Sequence, residues 1–199
     1  MCADHRNRVE LDAITGAFSQ LKIPLRFPKG LPNTPPRDSI RITDPATVIR
    51  QAEDGGDPEL VTMRWSWPGP SGRPVFNFRS EGRRFALGRC LIVADGFYEW
   101  TDPEPGEKRK TKWLFTHADE PWFCIAGLWR LDAIREADGG SADAFTMLTV
   151  PPGPDIASYH NRQIALPPRA LWAAWLDGSA DEGDVLRPSA AGTLRAERA

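Results

Sequence analysis

Seven short stretches rich in β-branched and aromatic residues, at 40–42, 47–51, 60–66, 90–94, 113–117, 122–128 and 145–150, are each bounded by Gly, Pro or Asp. Runs of this length and composition form strands rather than helices. Helical periodicity is confined to two places. Leu11, Ile14, Phe18 and Leu21 recur at helical spacing across 10–21, interrupted by Gly16. Leu171, Trp172, Trp175 and Leu176 follow the Pro167–Pro168 pair, a helix start. Many strands and few helices predict an α+β fold: a mainly antiparallel, strongly curved, barrel-like sheet with flanking helices. A chain of 199 residues with eight Trp and nine Phe suits one domain with a sizeable core. That domain is expected to span 1–177. After Gly178 the chain turns small and polar, and 178–199 reads as a partly disordered tail. Segment 28–38, PKGLPNTPPRD, is too proline-rich for a helix or a central strand and predicts an extended loop. TDPEPGEKRKTK reads as an exposed, mobile hairpin tip, and 130–144 as a polar excursion that starts with a helical turn and ends in a flexible loop.

Composition excludes several classes. No apolar run approaches the roughly 18 residues of a membrane span, and the polar start MCADHRNRVELD is not a signal peptide. Three cysteines (Cys2, Cys90, Cys124) are an odd number without C-x-x-C spacing. That argues against a disulfide framework or a zinc site and fits a reducing cytosol. A net charge of -2 rules out a uniformly basic surface, so nucleic-acid binding would need a local basic groove. The basic residues are mostly Arg, which suits bidentate phosphate recognition.

Five places carry residues suited to chemistry. If Met1 is removed, Cys2 presents an α-amine and a thiol on adjacent carbons, with ordinary pKa values of about 7.7–8.0 and about 8.5. Such a 1,2-aminothiol condenses with an aldehyde to an imine and then closes to a thiazolidine. In MRWSWPGPSG (63–72), one of Trp65 and Trp67 is expected to face outward, as a stacking platform for a base. In VFNFRSEGRR (75–84), Asn77 and Arg79 share a face by period 2, opposite Phe76 and Phe78. This is a solvated face or a phosphodiester contact. In RCLIVADGFYEW (89–100), Glu99 stands among Phe97, Tyr98 and Trp100, where desolvation would raise its pKa toward that of a general acid. His160 and Arg162, two residues apart, could serve a proton transfer and an anion.

The order of these segments resembles the SRAP family, the SOS-response-associated peptidase proteins: an initial M-C, a Pro-rich loop, M-R-W-x-W-P, F-N-F-R-S-E, A-D-G-F-Y-E-W, F-T-M-L-T and H-N-R-Q-I. The resemblance runs from Cys2 to about Asp177. It implies covalent capture of abasic sites in single-stranded DNA by the N-terminal cysteine, after autocatalytic or aminopeptidase removal of Met1. By the same resemblance Cys2 is the nucleophile and Asn77 contacts the N-terminus and the opened sugar. Glu99 acts on the amine and on ring opening, and His160 on proton transfer and reversal. Arg79 and Arg162 would contact phosphates, with Trp67 and the Pro35–Pro36 loop stacking on and wedging between bases. The implied partner is single-stranded DNA with abasic sites, with replication-fork proteins as further candidates and no membrane. The implied place is the cytoplasm, at the nucleoid when bound to DNA. Three departures bear on the pocket: Ala3–Asp4 where the family has Gly–Arg, Phe78 where it has Ala, and Asn161 and Gln163 around Arg162 in place of Asp and Met.

The chemistry is consistent with those residues and calls for no metal or organic cofactor. An imine alone permits β-elimination and strand breakage. A thiol on the neighbouring carbon intercepts it. A neutral carboxylic acid or an imidazolium can protonate the sugar ring oxygen, and a neutral amine must attack, so Glu99 and His160 need different protonation states. Two other readings fit the sequence less well: a thiol peptidase acting on other proteins, and a non-catalytic binder of single strands.

Overall fold

The computed structural model describes residues 2–103, 105–135 and 137–199. Its elements are β1 (Asp4–Asn7), α1 (Leu11–Gln20), β2 (Arg37–Arg41), β3 (Pro45–Arg50), β4 (Glu59–Trp65), β5 (Trp67–Pro68), β6 (Pro74–Val75) and β7 (Asn77–Arg79). They continue with β8 (Arg89–Ala94), β9 (Gly96–Thr101), β10 (Thr111–His117), β11 (Phe123–Arg135), β12 (Ser141–Val150) and β13 (Gln163–Ile164). A 3-10 turn (Arg169–Leu171), α2 (Trp172–Asp177), α3 (Glu182–Val185) and β14 (Leu194–Arg198) close the chain.

Five strands form a closed barrel in the order β11–β8–β3–β4–β12 and back to β11. All its pairings are antiparallel except β4 with β12. β7 and β13 attach to β12 outside this ring. A second, wholly antiparallel sheet runs β14–β10–β9–β1–β2. The sequence expectation of a curved, mainly antiparallel, barrel-like sheet with flanking helices is met.

The barrel strands are buried on both faces, which explains their continuous apolar runs. In β8, Leu91 and Val93 join the core with Phe18 of α1 and Trp172 and Trp175 of α2. Cys90, Ile92 and Ala94 join the core holding Cys2, Phe97 and Phe115 of the second sheet. Helix α2 is tied down by a hydrogen bond from Trp175 Nε1 to the Cys90 carbonyl at 2.9 Å. Phe18 stacks on Trp172 at 5.2 Å, and burying a side chain such as Phe18 stabilises by roughly 2–3 kcal/mol.

Three expectations are corrected. Segment 130–144 is not a helical turn and loop: β11 runs to Arg135, β12 starts at Ser141, and Ile134 pairs with Ala142. Both faces of that hairpin end are largely solvated, so no apolar alternation marks it. Second, 178–199, expected to be a partly disordered tail, holds α3 and β14. β14 pairs with β10 from Trp113–Arg198 to His117–Leu194, with Leu194 buried and both carboxylate oxygens of Asp155 accepting, from Gly192 N and Leu194 N. The backbone groups of β10 supply the pairing that the polar side chains of β14 do not advertise. Third, neither Trp65 nor Trp67 faces outward. Ser66 has φ of 80°, which breaks the strand between them, and both indoles are buried.

Candidate active site

The strand that follows Cys2, β1, is held in place by Asp95. This residue sits where the chain leaves barrel strand β8 and enters β9 of the second sheet. Its carboxylate accepts from Arg6 Nε at 3.0 Å and Arg8 N at 3.1 Å, while its own N–H donates to the Arg6 carbonyl. Gly96 permits close packing: a Cβ there would come within 2.8 Å of Leu114 Cδ1 and 3.2 Å of the Phe115 carbonyl, so these neighbours would have to shift. β1 therefore lies directly on β9, with His5 opposite Phe97 and Arg6 opposite Gly96. Extending that register toward the amino terminus brings Ala3 level with Glu99. Cys2 is 1% exposed, and its thiol donates to the Asp4 carbonyl at 3.4 Å.

Asn77 and His160 reach the same region from the barrel. β7 runs parallel along β12, with Asn77 opposite Met147, and Asn77 Nδ2 donates to the Cys2 carbonyl at 2.6 Å. The Asn77 Oδ1 is buried and has no partner among the described residues. His160 lies on the turn between β12 and β13, with its N–H bonded to the Ile156 carbonyl. The neighbouring Tyr159 packs edge-on against Trp113 at 5.0 Å, and Trp113 is the register partner of Glu99. His160 Nδ1 lies 3.0 Å from both the N–H and the carbonyl of Arg162, which fixes its ring orientation.

The electrostatics divide the roles. Glu99 is 2% exposed, and burial pushes its carboxyl from 4.5 up to about 7, with the positive amino terminus of the chain pulling the other way. His160 is pushed below its ordinary value, first by burial and then by the amino-terminal charge. Burial drives the Cys2 thiol well above its ordinary range, and the Glu99 charge adds to this. At neutral pH, Cys2 is thus a thiol, His160 a neutral base, and Glu99 poised between acid and carboxylate. Cys90 and Cys124 are free, fully buried thiols in the core.

The strand-binding residues inferred from sequence fare differently. Pro35 and Pro36 stand exposed on their loop, and Arg79 is exposed at the end of β7. Trp67 is 4% exposed, with the Arg130 guanidinium 4.6 Å above its ring, so it offers no open face. Arg162 is buried and already engaged. Its guanidinium makes a two-pronged ion pair with Glu81 and donates to the Thr149 carbonyl at 2.7 Å and Thr149 Oγ1 at 3.0 Å. The Arg162 hydrogen bond holds the Glu81 carboxyl down at about 2.

Three residues around the site had no sequence signal. Glu81 is one, since its partner lies 81 positions away. Asp4, 2% exposed, accepts from Ser39 Oγ at 2.8 Å and Lys112 Nζ at 2.9 Å. His5 is fully buried, edge-on to Trp65 at 5.1 Å, with neither ring nitrogen partnered among the described residues.

A family model described as SOS response associated peptidase (SRAP) matches residues 1–198. The abasic site processing protein YobE of Bacillus subtilis (strain 168) is 25% identical over 171 residues, covering 79% of this chain and 76% of its own. A structure from Bordetella bronchiseptica superposes with a TM-score of 0.71 at 24% identity, covering 100% of this chain and 99% of that one. One from Bacteroides thetaiotaomicron also gives 0.71, at 15% identity, with 99% and 91% covered. A phage-related protein of B. bronchiseptica gives 0.69 at 19% identity, with 100% and 94% covered. These solved structures share the fold.

Proposed function

The chain belongs to the SOS response associated peptidase (SRAP) family, and on that premise we propose that it processes abasic sites, capturing them covalently in single-stranded DNA through Cys2. The name of the relative YobE supports the substrate. The observation that carries the reading is the buried Cys2, whose carbonyl Asn77 Nδ2 holds at 2.6 Å and whose thiol feels the charge of the buried Glu99, a carboxyl that burial pushes up to about 7.

Removal of Met1, by the protein itself or by an aminopeptidase, frees the Cys2 amine. A protonated Glu99 gives its proton to the ring oxygen of the abasic deoxyribose while the anomeric hydroxyl passes its own proton to water, and the ring opens to the aldehyde. The neutral amine adds to the aldehyde carbon, and the carbinolamine loses water to give an imine. The thiol sulfur then bonds to the imine carbon, and its proton passes to the nitrogen. The thiazolidine forms with net loss of one water. Asn77 holds the Cys2 carbonyl, and its buried Oδ1, without a partner among the described residues, supplies an acceptor for the new amine or a sugar hydroxyl. The depressed pKa of His160 keeps its ring neutral at pH 7, so that it can accept a proton in the reaction.

Denaturing electrophoresis and intact mass of the protein with an abasic oligonucleotide test this. The proposal predicts a heat-stable adduct whose mass is the sum of processed protein and strand less one water. A tetrahydrofuran analogue, which has no aldehyde, should give none. Equal adduct with both strands would refute it.

A further inference from the structure

A cleft of about 520 Å³ lies between the end of β10, the start of β11, the 3-10 turn before α2 and the segment 187–193. None of Cys2, Asn77, Glu99 and His160 lines it. Its size is that of a small-molecule site. Arg169 and Arg187 bring two guanidiniums to its wall and Glu120 the single carboxylate. Pro168, Pro188 and Ala190 add exposed apolar surface. Leaving His117 aside, the wall carries one net positive charge.

The three polar side chains that matter are held differently. Arg169 Nη2 pairs with Glu120 at 3.0 Å, and its guanidinium lies over the buried Trp122 and Trp172 rings, 4.9 and 5.4 Å from their centroids. The Arg169 side chain is still 29% exposed, so this fixed plane keeps surface on which a flat group can stack. Arg187 is exposed and makes no ion pair among the described residues. His117 Nδ1 accepts from the N–H groups of Asp119 and Glu120, at 3.2 and 3.1 Å. The ring proton therefore sits on Nε2, which makes no hydrogen bond among the described residues.

We propose that this cleft binds an aromatic carboxylate. The carboxylate takes Arg187, with His117 Nε2–H as a second donor, and the ring lies against Pro168, Pro188 and the guanidinium plane of Arg169. A guanidinium matches a carboxylate with two parallel N–H donors. One negative charge balances the wall, whereas a dianion would face Glu120 with a charge to spare. A neutral aromatic would leave Arg187 unpaired. A free aromatic acid and the carboxyl end of a peptide whose last residue is aromatic both offer this group.

Isothermal titration calorimetry on the full chain at pH 8 tests this with naphthoate, its neutral analogue naphthamide, and naphthyl phosphate, a dianion at that pH. Naphthoate should bind more tightly than either of the others. Arg187→Gln should weaken naphthoate about 10-fold, the loss of a charge-assisted hydrogen bond, and leave naphthamide unchanged. Glu120→Gln adds one net positive charge to the wall, so naphthyl phosphate should gain more affinity from it than naphthoate does. Arg187 is exposed and Glu120 half-buried, and a melting curve confirms that each variant folds. An acetylated peptide ending in Phe separates the two sources. Tighter binding than naphthoate, lost when its carboxyl end is amidated, identifies a chain end, and weaker binding a free acid. Equal binding of naphthoate and naphthamide, or naphthoate binding untouched by Arg187→Gln, overturns the proposal. So does tighter binding of naphthyl phosphate to the wild type. Crosslinking plays no part in the readout, so the outcome is independent of the Cys2 reading.

Discussion

Asn77 Nδ2 donates to the Cys2 carbonyl at 2.6 Å across 75 positions of sequence. The bond ties the reactive amino terminus to a strand attached to the barrel, and Asn77 Oδ1 is left buried with no partner among the described residues. Asn77→Ala should slow single-turnover crosslinking about 100-fold, as misplacement of a reacting group does. The melting point should fall only slightly, because one hydrogen bond contributes about 1 kcal/mol. Equal losses of stability and rate would make Asn77 a structural residue only.

Glu99 sets a pH dependence of defined sign. Its folded pKa is raised from 4.5 to about 7, so its contribution to stability is full below 4.5 and is lost as pH rises through 7. The crosslinking rate should change across the same interval as the acid form disappears. Glu99→Gln should lose that limb of the rate profile, and its melting temperature should vary less between about pH 5 and 8. A variant profile that keeps the limb would assign the titration to another group.

His5 acts in the opposite direction. Burial holds its pKa down from 6.5 to about 3, and the Arg37 charge adds to this. Its contribution is full above 6.5 and is lost as pH falls toward 3. His5→Phe keeps the edge contact with Trp65 and removes two unpartnered nitrogens, so it should stabilise the fold by roughly 1–3 kcal/mol at pH 5. A thermal melt at pH 5 showing the variant less stable than wild type would mean that the ring nitrogens are satisfied.

The elements that sequence revealed are those with an apolar face. β8, α1 and α2 each show their buried positions by composition or spacing. β1 (DHRN) and β14 (LRAER) do not, because their place comes from backbone pairing with β9 and β10 and from ion pairs with distant residues. The approach of Asn77 and Glu99 to Cys2 was legible only through the family resemblance, since Cys2 precedes β1 while Asn77 lies on β7 and Glu99 on β9. Long-range partners were not legible at all: Arg130 covers Trp67, and Glu81 occupies Arg162. A residue's exposure depends on what folds over it, which spacing along its own strand does not encode.

The Glu81–Arg162 pair predicts a further effect. Arg162 is buried, and its backbone orients His160 through Nδ1. Glu81→Ala should destabilise the protein by about 1–2 kcal/mol, less than the roughly 3–5 kcal/mol of a fully buried pair, because Glu81 is 45% exposed. The contribution is present above pH 4.5 and lost as pH falls through about 2. Urea denaturation at pH 7 and pH 3 measures it. An Ala variant as stable as wild type at pH 7 would show that the pair is not formed in solution.

The most direct test sets the Cys2 amine against its thiol. Protein verified by mass as lacking Met1, protein that retains it behind an uncleavable tag, and processed Cys2→Ser are each mixed with an abasic oligonucleotide and run on a denaturing gel. Only the first should give a heat-stable adduct. Cys2→Ser, which keeps the amine, should give an imine that only borohydride makes permanent. The Met1-retaining protein should give neither, although its thiol is intact. A heat-stable adduct from verified Met1-retaining protein would contradict the thiazolidine account.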